Sequence, residues 1–271
     1  MIAMIFFFPA CAFVLGSILG SFFNVLIYRL PRNESIVSPG SHCPRCNHAI
    51  RPWENVPLAS FIFLRGKCSA CKHPIPLHYP LVELLTAFAA LAIWRFVIMP
   101  QLVSAPTYWH MGVLALQSLV LLMLIPLSII DIKHFIIPDV LTIPGLVAAI
   151  AVSFFPGGLT PVQSIVGMLA GGGSLLAIGA IGTYVLKKED AMGGGDIRLM
   201  ALIGALWGWK IAIGGIVLAS FLGSIVGLLL LVFHVLAKDH KLPFGPFLAA
   251  GVWASVLTID KLFGLYLSWL G

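Results

Sequence analysis

The stretch "VLLMLIPLSIIDIKHFIIPD", residues 120–139, joins a long apolar run to two carboxylic acids. The run continues an apolar segment that begins near residue 111, and about 20 apolar residues are enough to cross the hydrocarbon core of a bilayer. Asp131 follows the run directly, and Asp139 follows Pro138 eight residues later. The stretch therefore predicts a membrane span with an acid at its end.

The composition of the whole chain indicates a membrane protein. Of its 271 residues, 60% are hydrophobic and only 10% are charged, and the mean hydropathy is +1.04. A soluble domain carries roughly 25% charged residues. The N-terminal segment has no basic residue before Arg29, so it is predicted to remain as a first span rather than to be a secretory signal peptide.

Apolar segments along the chain predict an all-α, polytopic membrane protein with about eight transmembrane helices. The predicted spans are residues 4–28, 80–99, 111–130, 138–156, 162–186, 197–209, 211–236 and 244–263. The sixth span is short, and Trp207 and Trp209 near its end fit an interfacial aromatic belt.

Lys and Arg residues are concentrated on one side of the predicted membrane. The four connectors that share one side carry 13 of the 16 basic residues; they are residues 29–79, 131–139, 187–198 and 238–241. Basic connectors stay in the cytoplasm, which places both termini on the outer side. Topology thus explains the net charge of +6, and no basic patch interleaved with stacking aromatics points to nucleic acid.

The connector 29–79 is too long for a simple link between two spans. It contains Cys43-Pro-Arg-Cys46 and Cys68-Ser-Ala-Cys71, and these four thiolates can bind one Zn²⁺ tetrahedrally. Disulfides do not suit a cytoplasmic loop, while a redox pair or an iron–sulfur site remains an alternative. We predict a small cytoplasmic zinc-binding loop domain in which the metal is structural.

Other residues near these motifs have simpler interpretations. His42, His48 and His73 lie beside the cysteines and are interpreted as solvated neighbours. The alternative is that one of them replaces a cysteine as a metal ligand. Cys11 lies in the first span and is interpreted as a packing residue. Glu83 begins the second span, where its carboxyl group needs a partner because an unpaired ionisable group is costly there.

Asp196 follows three glycines at the start of the sixth span, on the same predicted membrane face as Asp131. Two carboxyl groups at one depth can form an aspartic dyad, in which one stays protonated because adjacent negative charges repel each other. The ionised partner then takes a proton from the water that attacks a peptide carbonyl. The residues alone leave structural and transport roles open for these acids.

The glycines Gly193, Gly194 and Gly195 allow unusual backbone angles and the close approach of another chain. An extended peptide substrate would fit beside such a loop. A simple connection between spans explains the glycines equally well, as does close helix packing of the kind expected at Gly16-x-x-x-Gly20 and Gly167-x-x-x-Gly171.

Taken together, the motifs resemble the bacterial type IV prepilin peptidase family. The matching stretches run in the family's order from residue 20 to residue 204: "GSFFNVLIYRLP", "CPRC", "WENVP", "LRGKCSACKHPI", "YPLVELLTA", "DIKHFIIPD" and "GGGDIRLMALIG". The resemblance implies a membrane-embedded aspartic endopeptidase of the Gly-x-Gly-Asp type, with Asp131 and Asp196 as the catalytic pair. It also implies that the enzyme cuts the basic leaders of type IV prepilins and type II secretion pseudopilins at the cytoplasmic face of the bacterial inner membrane.

The resemblance implies supporting residues and a second activity. Asp139 matches a recurrent family position and is interpreted as supporting or capping. Arg198 stands where the family usually has lysine. The positive charge is kept, but a planar guanidinium group replaces the compact ammonium group in any positioning of the substrate. Many members methylate the new N-terminal amine with S-adenosylmethionine, but no residue for that step can be chosen from the sequence, with Glu34 and Glu83 both open.

The sequence therefore predicts three parts: a first transmembrane helix (1–28), a four-cysteine zinc loop associated with methyl transfer (29–79) and an aspartic peptidase domain (80–271). A proton- or ion-coupled transporter is the alternative function, but it predicts acids at the midplane and repeated halves, and neither is evident. A structural assembly protein with a zinc docking loop is a third possibility.

Overall fold

The computed structural model describes residues 2–102, 107–185, 192–233 and 242–270, with side chains described from residue 6 to residue 258. Within these ranges the regular structure is helical, apart from two isolated β-bridges. The chain divides into two compact units, residues 1–105 and 106–271. The three-part functional division stays a prediction.

The first unit contains two long helices and the loop between them. Helix α1 spans Ile2–Arg29, and α3 spans His78–Ile93 and continues through a π-helical turn, Trp94–Ile98, into α4, Met99–Leu102. The loop holds a short helix α2, Ala59–Phe63, and two 3₁₀ turns, Leu30–Arg32 and Pro52–Asn55.

Glycines set the close contact between α1 and α3. A Cβ atom on Gly20 would lie 2.6 Å from the Cα atom of Glu83, and one on Gly16 would lie 2.8 Å from the Cα atom of Ala87. The two backbones touch because both glycines lack a side chain. The interpretation of Gly16-x-x-x-Gly20 as a helix-packing motif is confirmed.

The described residues of the second unit form six further helices. They are α5 Tyr108–His134, α6 Asp139–Val152, α7 Pro161–Tyr184, α8 Gly194–Trp207, α9 Trp209–Val232 and α10 Gly245–Leu270. Helices α7 and α8 pack backbone to backbone, because a Cβ atom on Gly167 would overlap the carbonyl group of Gly204 and one on Gly171 that of Met200. The second glycine motif is therefore also a packing motif.

The predicted fold class is confirmed, and every predicted span corresponds to a helix. Five segments are long and apolar enough to cross a membrane: Phe6–Arg32, His78–Leu102, Tyr108–His134, Pro161–Tyr184 and Trp209–Val232. Helices α6 and α8 have only 14 residues each, or about 21 Å, which is less than the roughly 30 Å of a hydrocarbon core.

Some predicted boundaries differ from the helices. The third span ends at His134 rather than at residue 130, so Asp131 lies inside the last turn of α5 and not after it. Residues 186–191 and 234–241, which include the basic connector 238–241 and part of the connector 187–198, lie outside the described residues.

Candidate active site and metal centre

The structure brings together the two aspartates that the sequence singled out. Asp131 lies in the last turn of α5 and is buried, with 6% of its surface exposed. Asp196 is the third residue of α8, and its Oδ1 atom is buried without a hydrogen-bond partner. The carboxyl groups are close enough to interact electrostatically. The end of α5 and the start of α8 therefore form one acidic site.

A short extended segment after α5 places Asp196 beside Asp131. The helix ends at His134, and the left-handed backbone of its C-cap residue Phe135 (φ 55°) lets the Phe135 N–H group donate to the Asp131 carbonyl at 2.8 Å. Gly195 packs against the next part of this segment, because a Cβ atom there would lie 2.7 Å from the Cβ atom of Ile137. The start of α8 can approach Ile137 only because residue 195 has no side chain.

The glycines serve close approach rather than unusual backbone angles. Gly193 is the N-cap residue of α8 with φ −65° and ψ 128°, which other residues also adopt. A Cβ atom on Gly193 would lie 2.8 Å from the Asp196 Oδ2 atom and would crowd the carboxyl group. Gly194 is exposed, and a Cβ atom there would meet only the Arg198 guanidinium group, at 3.6 Å.

Asp139 and Arg198 form an ion pair beside this site. The Arg198 Nε atom lies 2.7 Å from the Asp139 Oδ1 atom, and the two side chains are 44% and 48% exposed. Asp139 is the first residue of α6, whose N-cap is Pro138 and makes no side-chain capping bond. The pair ties the start of α6 to the first turns of α8, and its role in the reaction stays a prediction.

Gly245 is a site residue that the sequence analysis missed. Its N–H group donates to the Asp131 Oδ2 atom at 2.8 Å, and a Cβ atom on it would lie 2.7 Å from that same oxygen. Gly245 begins α10, directly before Pro246. The feature that could have indicated it in the sequence is a glycine between Phe244 and Pro246, at the start of a span on the predicted membrane face of Asp131 and Asp196.

The four cysteines of the loop form one cluster in the first unit. Their Sγ atoms all lie within 4.8 Å of one another, with Cys43 3.9 Å from Cys71 and Cys46 4.0 Å from Cys68. A tetrahedral site with Zn–S bonds of about 2.3 Å requires sulfur–sulfur distances of about 3.8 Å. The cluster has the size and the donor set of a four-thiolate metal site.

Two copies of one hairpin build this cluster. The Cys43 N–H group donates to the His48 carbonyl at 2.9 Å, and the Cys68 N–H group donates to the His73 carbonyl at the same distance. A left-handed residue follows the second cysteine of each pair, namely Asn47 (φ 54°) and Lys72 (φ 58°). The hairpins therefore present their cysteines in the same way.

Backbone N–H groups in each hairpin favour the metal-binding form of the first cysteine. Those of Arg45 and Cys46 lower the pKa of Cys43 to about 7, and those of Cys71 and Ala70 lower the pKa of Cys68. Thiolates are the ligand form of cysteine.

The histidine rings have other partners than the cluster. The His48 Nε2 atom lies 3.4 Å from Glu54, the His73 Nδ1 atom lies 2.7 Å from Arg45, and the His42 Nδ1 atom lies 3.1 Å from the Gly40 carbonyl. These contacts support the interpretation of the three histidines as neighbours of the cysteines.

Comparisons with known proteins agree with this architecture. Residues 14–96 match the family model of the bacterial peptidase A24 N-terminal domain, and residues 118–228 match that of the type IV leader peptidase family. The similar curated proteins named prepilin leader peptidase/N-methyltransferase include one from Pseudomonas aeruginosa, 35% identical over 97% of this chain and 95% of the relative. Another, from Myxococcus xanthus, is 40% identical over 83% of this chain and 63% of the relative. No solved structure matches the chain.

Fold, acidic site and relatives together define a multi-pass membrane peptidase. The chain belongs to the type IV leader peptidase family, with the N-terminal domain of its bacterial members. The predicted family and enzyme class are confirmed.

Proposed function

We propose that this protein cleaves the leader peptide from type IV prepilins and pseudopilins and then methylates the new N-terminal amine. The names of the relatives carry both activities. The observation that supports the cleavage step is the meeting of two acids from different helices: Asp131, which is buried, and Asp196, which is partly buried and has an unpartnered buried oxygen.

The paired carboxyl groups have the chemistry of peptide hydrolysis. Two adjacent carboxyl groups hold one proton between them, and the pair titrates as a unit. The ionised partner takes a proton from water, whose oxygen forms a bond to the scissile carbonyl carbon, while the protonated partner donates to the carbonyl oxygen. The C–N bond then breaks, and the leaving amine takes up a proton. Gly245 binds the Oδ2 atom of Asp131, and within the described part of the chain no hydrogen bond holds the Oδ1 atom, which can take part in this chemistry.

The position of the acids fits a substrate that is itself anchored in the bilayer. Asp131 lies in the last turn of α5 and Asp196 in the first turn of α8, so both belong to helix ends. A prepilin with an apolar helix in the membrane would present its leader junction at such a rim. The distribution of Lys and Arg supports an orientation with this rim in the cytoplasm and both termini outside. The membrane proposed for the protein is the bacterial inner membrane, which the family resemblance implies. The transporter hypothesis predicted acids at the midplane, and the helix-end positions do not support it.

The four cysteines are proposed to hold one structural Zn²⁺. Four sulfur ligands fill a tetrahedral site and leave no open position for catalysis, so the metal would fold the loop. S-adenosylmethionine supplies the methyl group when it is bound.

Substitution of each aspartate separately tests the cleavage proposal. We expect Asp131→Asn and Asp196→Asn each to lower kcat/KM for a purified prepilin by at least about 10³-fold, because each change removes the shared proton. The double variant should be hardly slower than either single one, since residues that act as a unit are not additive.

Glu34→Gln is the matched control. Glu34 is an exposed acid of the first unit, and its neutralisation should leave cleavage unchanged. Wild-type cleavage by a well-folded Asp131→Asn or Asp196→Asn variant would contradict the proposal.

A further inference from the structure

A buried polar cluster in the first unit takes no part in the aspartate chemistry. It consists of Glu83 on α3, Asn24 and Ser21 on α1, and the backbone N–H group of Leu58, and is called the Glu83 cluster here. Glu83 is 9% exposed and Asn24 is 5% exposed. Both lie on helices that are long and apolar enough to span a membrane, where buried polar groups are costly and mark function.

The Glu83 carboxyl group has neutral partners. Its Oε2 atom accepts a hydrogen bond from the Leu58 N–H group at 2.8 Å, and the Ser21 hydroxyl group lies within interaction range. Among the described residues, no lysine or arginine acts on this carboxyl group. A carboxyl group buried without a cation is costly to ionise, and a cationic ligand would supply the missing counter-charge.

Asn24 adds to the cluster a carbonyl oxygen that accepts no hydrogen bond from the described residues. Its Nδ2 atom donates to the carbonyl groups of Gly20 at 3.3 Å and of Tyr79 at 3.0 Å, which fixes the orientation of the amide. The Oδ1 atom is consequently an acceptor, and it is buried without a partner. Gly20 packs directly against the backbone of Glu83, so the two acceptors belong to one stretch of the α1–α3 contact.

The turn over Glu83 has a strained backbone. Leu58 has φ 60° and ψ −48°, and the Ala59 N–H group donates to the Pro57 carbonyl at 2.6 Å, which makes a γ-turn with positive φ. This backbone conformation is energetically unfavourable for a leucine, and such conformations persist only where the surrounding structure imposes them. Leu58 is only half-buried, so the turn whose N–H group binds the carboxyl group is itself partly open to the surface.

We propose that the Glu83 cluster binds the N-terminal ammonium group of the cleaved pilin and that Glu83 accepts its proton for methyl transfer. This inference rests on the proposed methylation. The ammonium group gives one proton to the carboxylate and becomes a neutral amine. The amine lone pair forms a bond to the methyl carbon of the sulfonium donor, whose C–S electron pair stays on sulfur. The products are a protonated secondary amine and a neutral thioether, and Glu83 later loses its proton to solvent.

Glu83→Gln separates proton transfer from structure. A glutamine keeps an oxygen that can accept the Leu58 N–H bond, but it cannot accept a proton. With a labelled sulfonium donor and precleaved pilin at pH 6.5, we expect label transfer to fall by at least about 100-fold. Leader cleavage and zinc content should stay at the wild-type level.

The pH dependence distinguishes a proton acceptor from a packing residue. A free α-amine has a pKa of about 7.7–8.0, so at pH 8.5 most of the substrate is neutral without help. The defect of Glu83→Gln should therefore shrink to about tenfold or less at pH 8.5. Other titratable groups lie nearby: His78 stacks on Tyr79, which interacts with Tyr28 and Arg32. These groups are the same in wild type and in Glu83→Gln. The ratio of the methylation rates of the two proteins at each pH therefore reports on Glu83 alone.

Thr86→Val is the matched control. Thr86 is fully buried one turn further along α3, and its hydroxyl group bonds only the Val82 carbonyl of its own helix, at 2.7 Å. Its loss should leave label transfer within about twofold of wild type.

The Glu83→Gln and wild-type assays have different contradicting results. Label transfer by Glu83→Gln at the wild-type rate, a defect that does not change with pH, or a joint loss of cleavage and methylation would each overturn the site. A wild-type protein that transfers no label would instead overturn the methylation itself.

Discussion

The cysteine cluster and the aspartate site are built in opposite ways. Each cysteine hairpin is closed by hydrogen bonds within a few residues, and the chain repeats that hairpin 25 residues later. The aspartate site joins single residues of α5 and α8, and its third member, Gly245, lies 114 residues from Asp131. A site made from local repeats is visible in a sequence, whereas a site made from distant single residues needs the packing of whole helices.

The two sites also differ in how many buried apolar residues surround them. Between Ile27 and Val82 the only buried apolar residue is Cys43, so the loop has almost no core of its own. The aspartates, by contrast, adjoin fully buried residues such as Ile130 and Met200. We infer that the aspartate site depends on helix packing, whereas the loop would depend on the proposed metal.

The largest expected effect is the loss of zinc from a cysteine variant. Cys43→Ser should lower bound zinc from about one ion per chain to nearly none, because three thiolates no longer close the site. Cys68→Ser should do the same, since the hairpins are equivalent. Metal analysis of purified protein measures this, with Cys11→Ser as the control. Zinc retained in Cys43→Ser or lost from Cys11→Ser would break the comparison.

The next effect concerns the distant member of the aspartate site. Gly245→Ala places a methyl group 2.7 Å from the Asp131 Oδ2 atom and 3.1 Å from its Cγ atom. We expect a fall in kcat/KM for prepilin cleavage of about 10–100-fold, because the carboxyl group must move.

Gly112→Ala in α5 is the control for Gly245→Ala, since a Cβ atom there meets nothing within 4 Å. Equal activity of the two variants would mean that the Asp131–Gly245 contact has no role in the reaction.

A smaller effect is expected where α1 meets α3. Gly20→Ala would force a Cβ atom to 2.6 Å from the backbone of Glu83 and should lower the free energy of unfolding by about 1–3 kcal/mol. Thermal unfolding in detergent measures this change, and Gly173→Ala, where a Cβ atom meets nothing within 4 Å, is the control. Unchanged stability of Gly20→Ala would show that the contact is looser than the structure has it.

The smallest effect is expected at the Asp139–Arg198 pair. Both side chains are about half exposed, and such a pair contributes roughly 0–1 kcal/mol. Arg198→Lys keeps the charge, so we expect cleavage to change by less than about fivefold. A loss of more than tenfold in kcat/KM would show that the planar guanidinium group positions the substrate.

The sequence by itself determined the membrane class, the eight apolar helical segments, the cysteine cluster and the family, because hydropathy and motif spacing are properties of neighbouring residues. It also singled out Asp131 and Asp196, since acids are rare in so apolar a chain. Only the tertiary structure decided that Gly245 holds Asp131, that Leu58 caps Glu83 and that Gly195 makes room for Ile137. Each of these contacts joins the backbone of one segment to a side chain of a distant segment, and no local pattern encodes which segments will pack together.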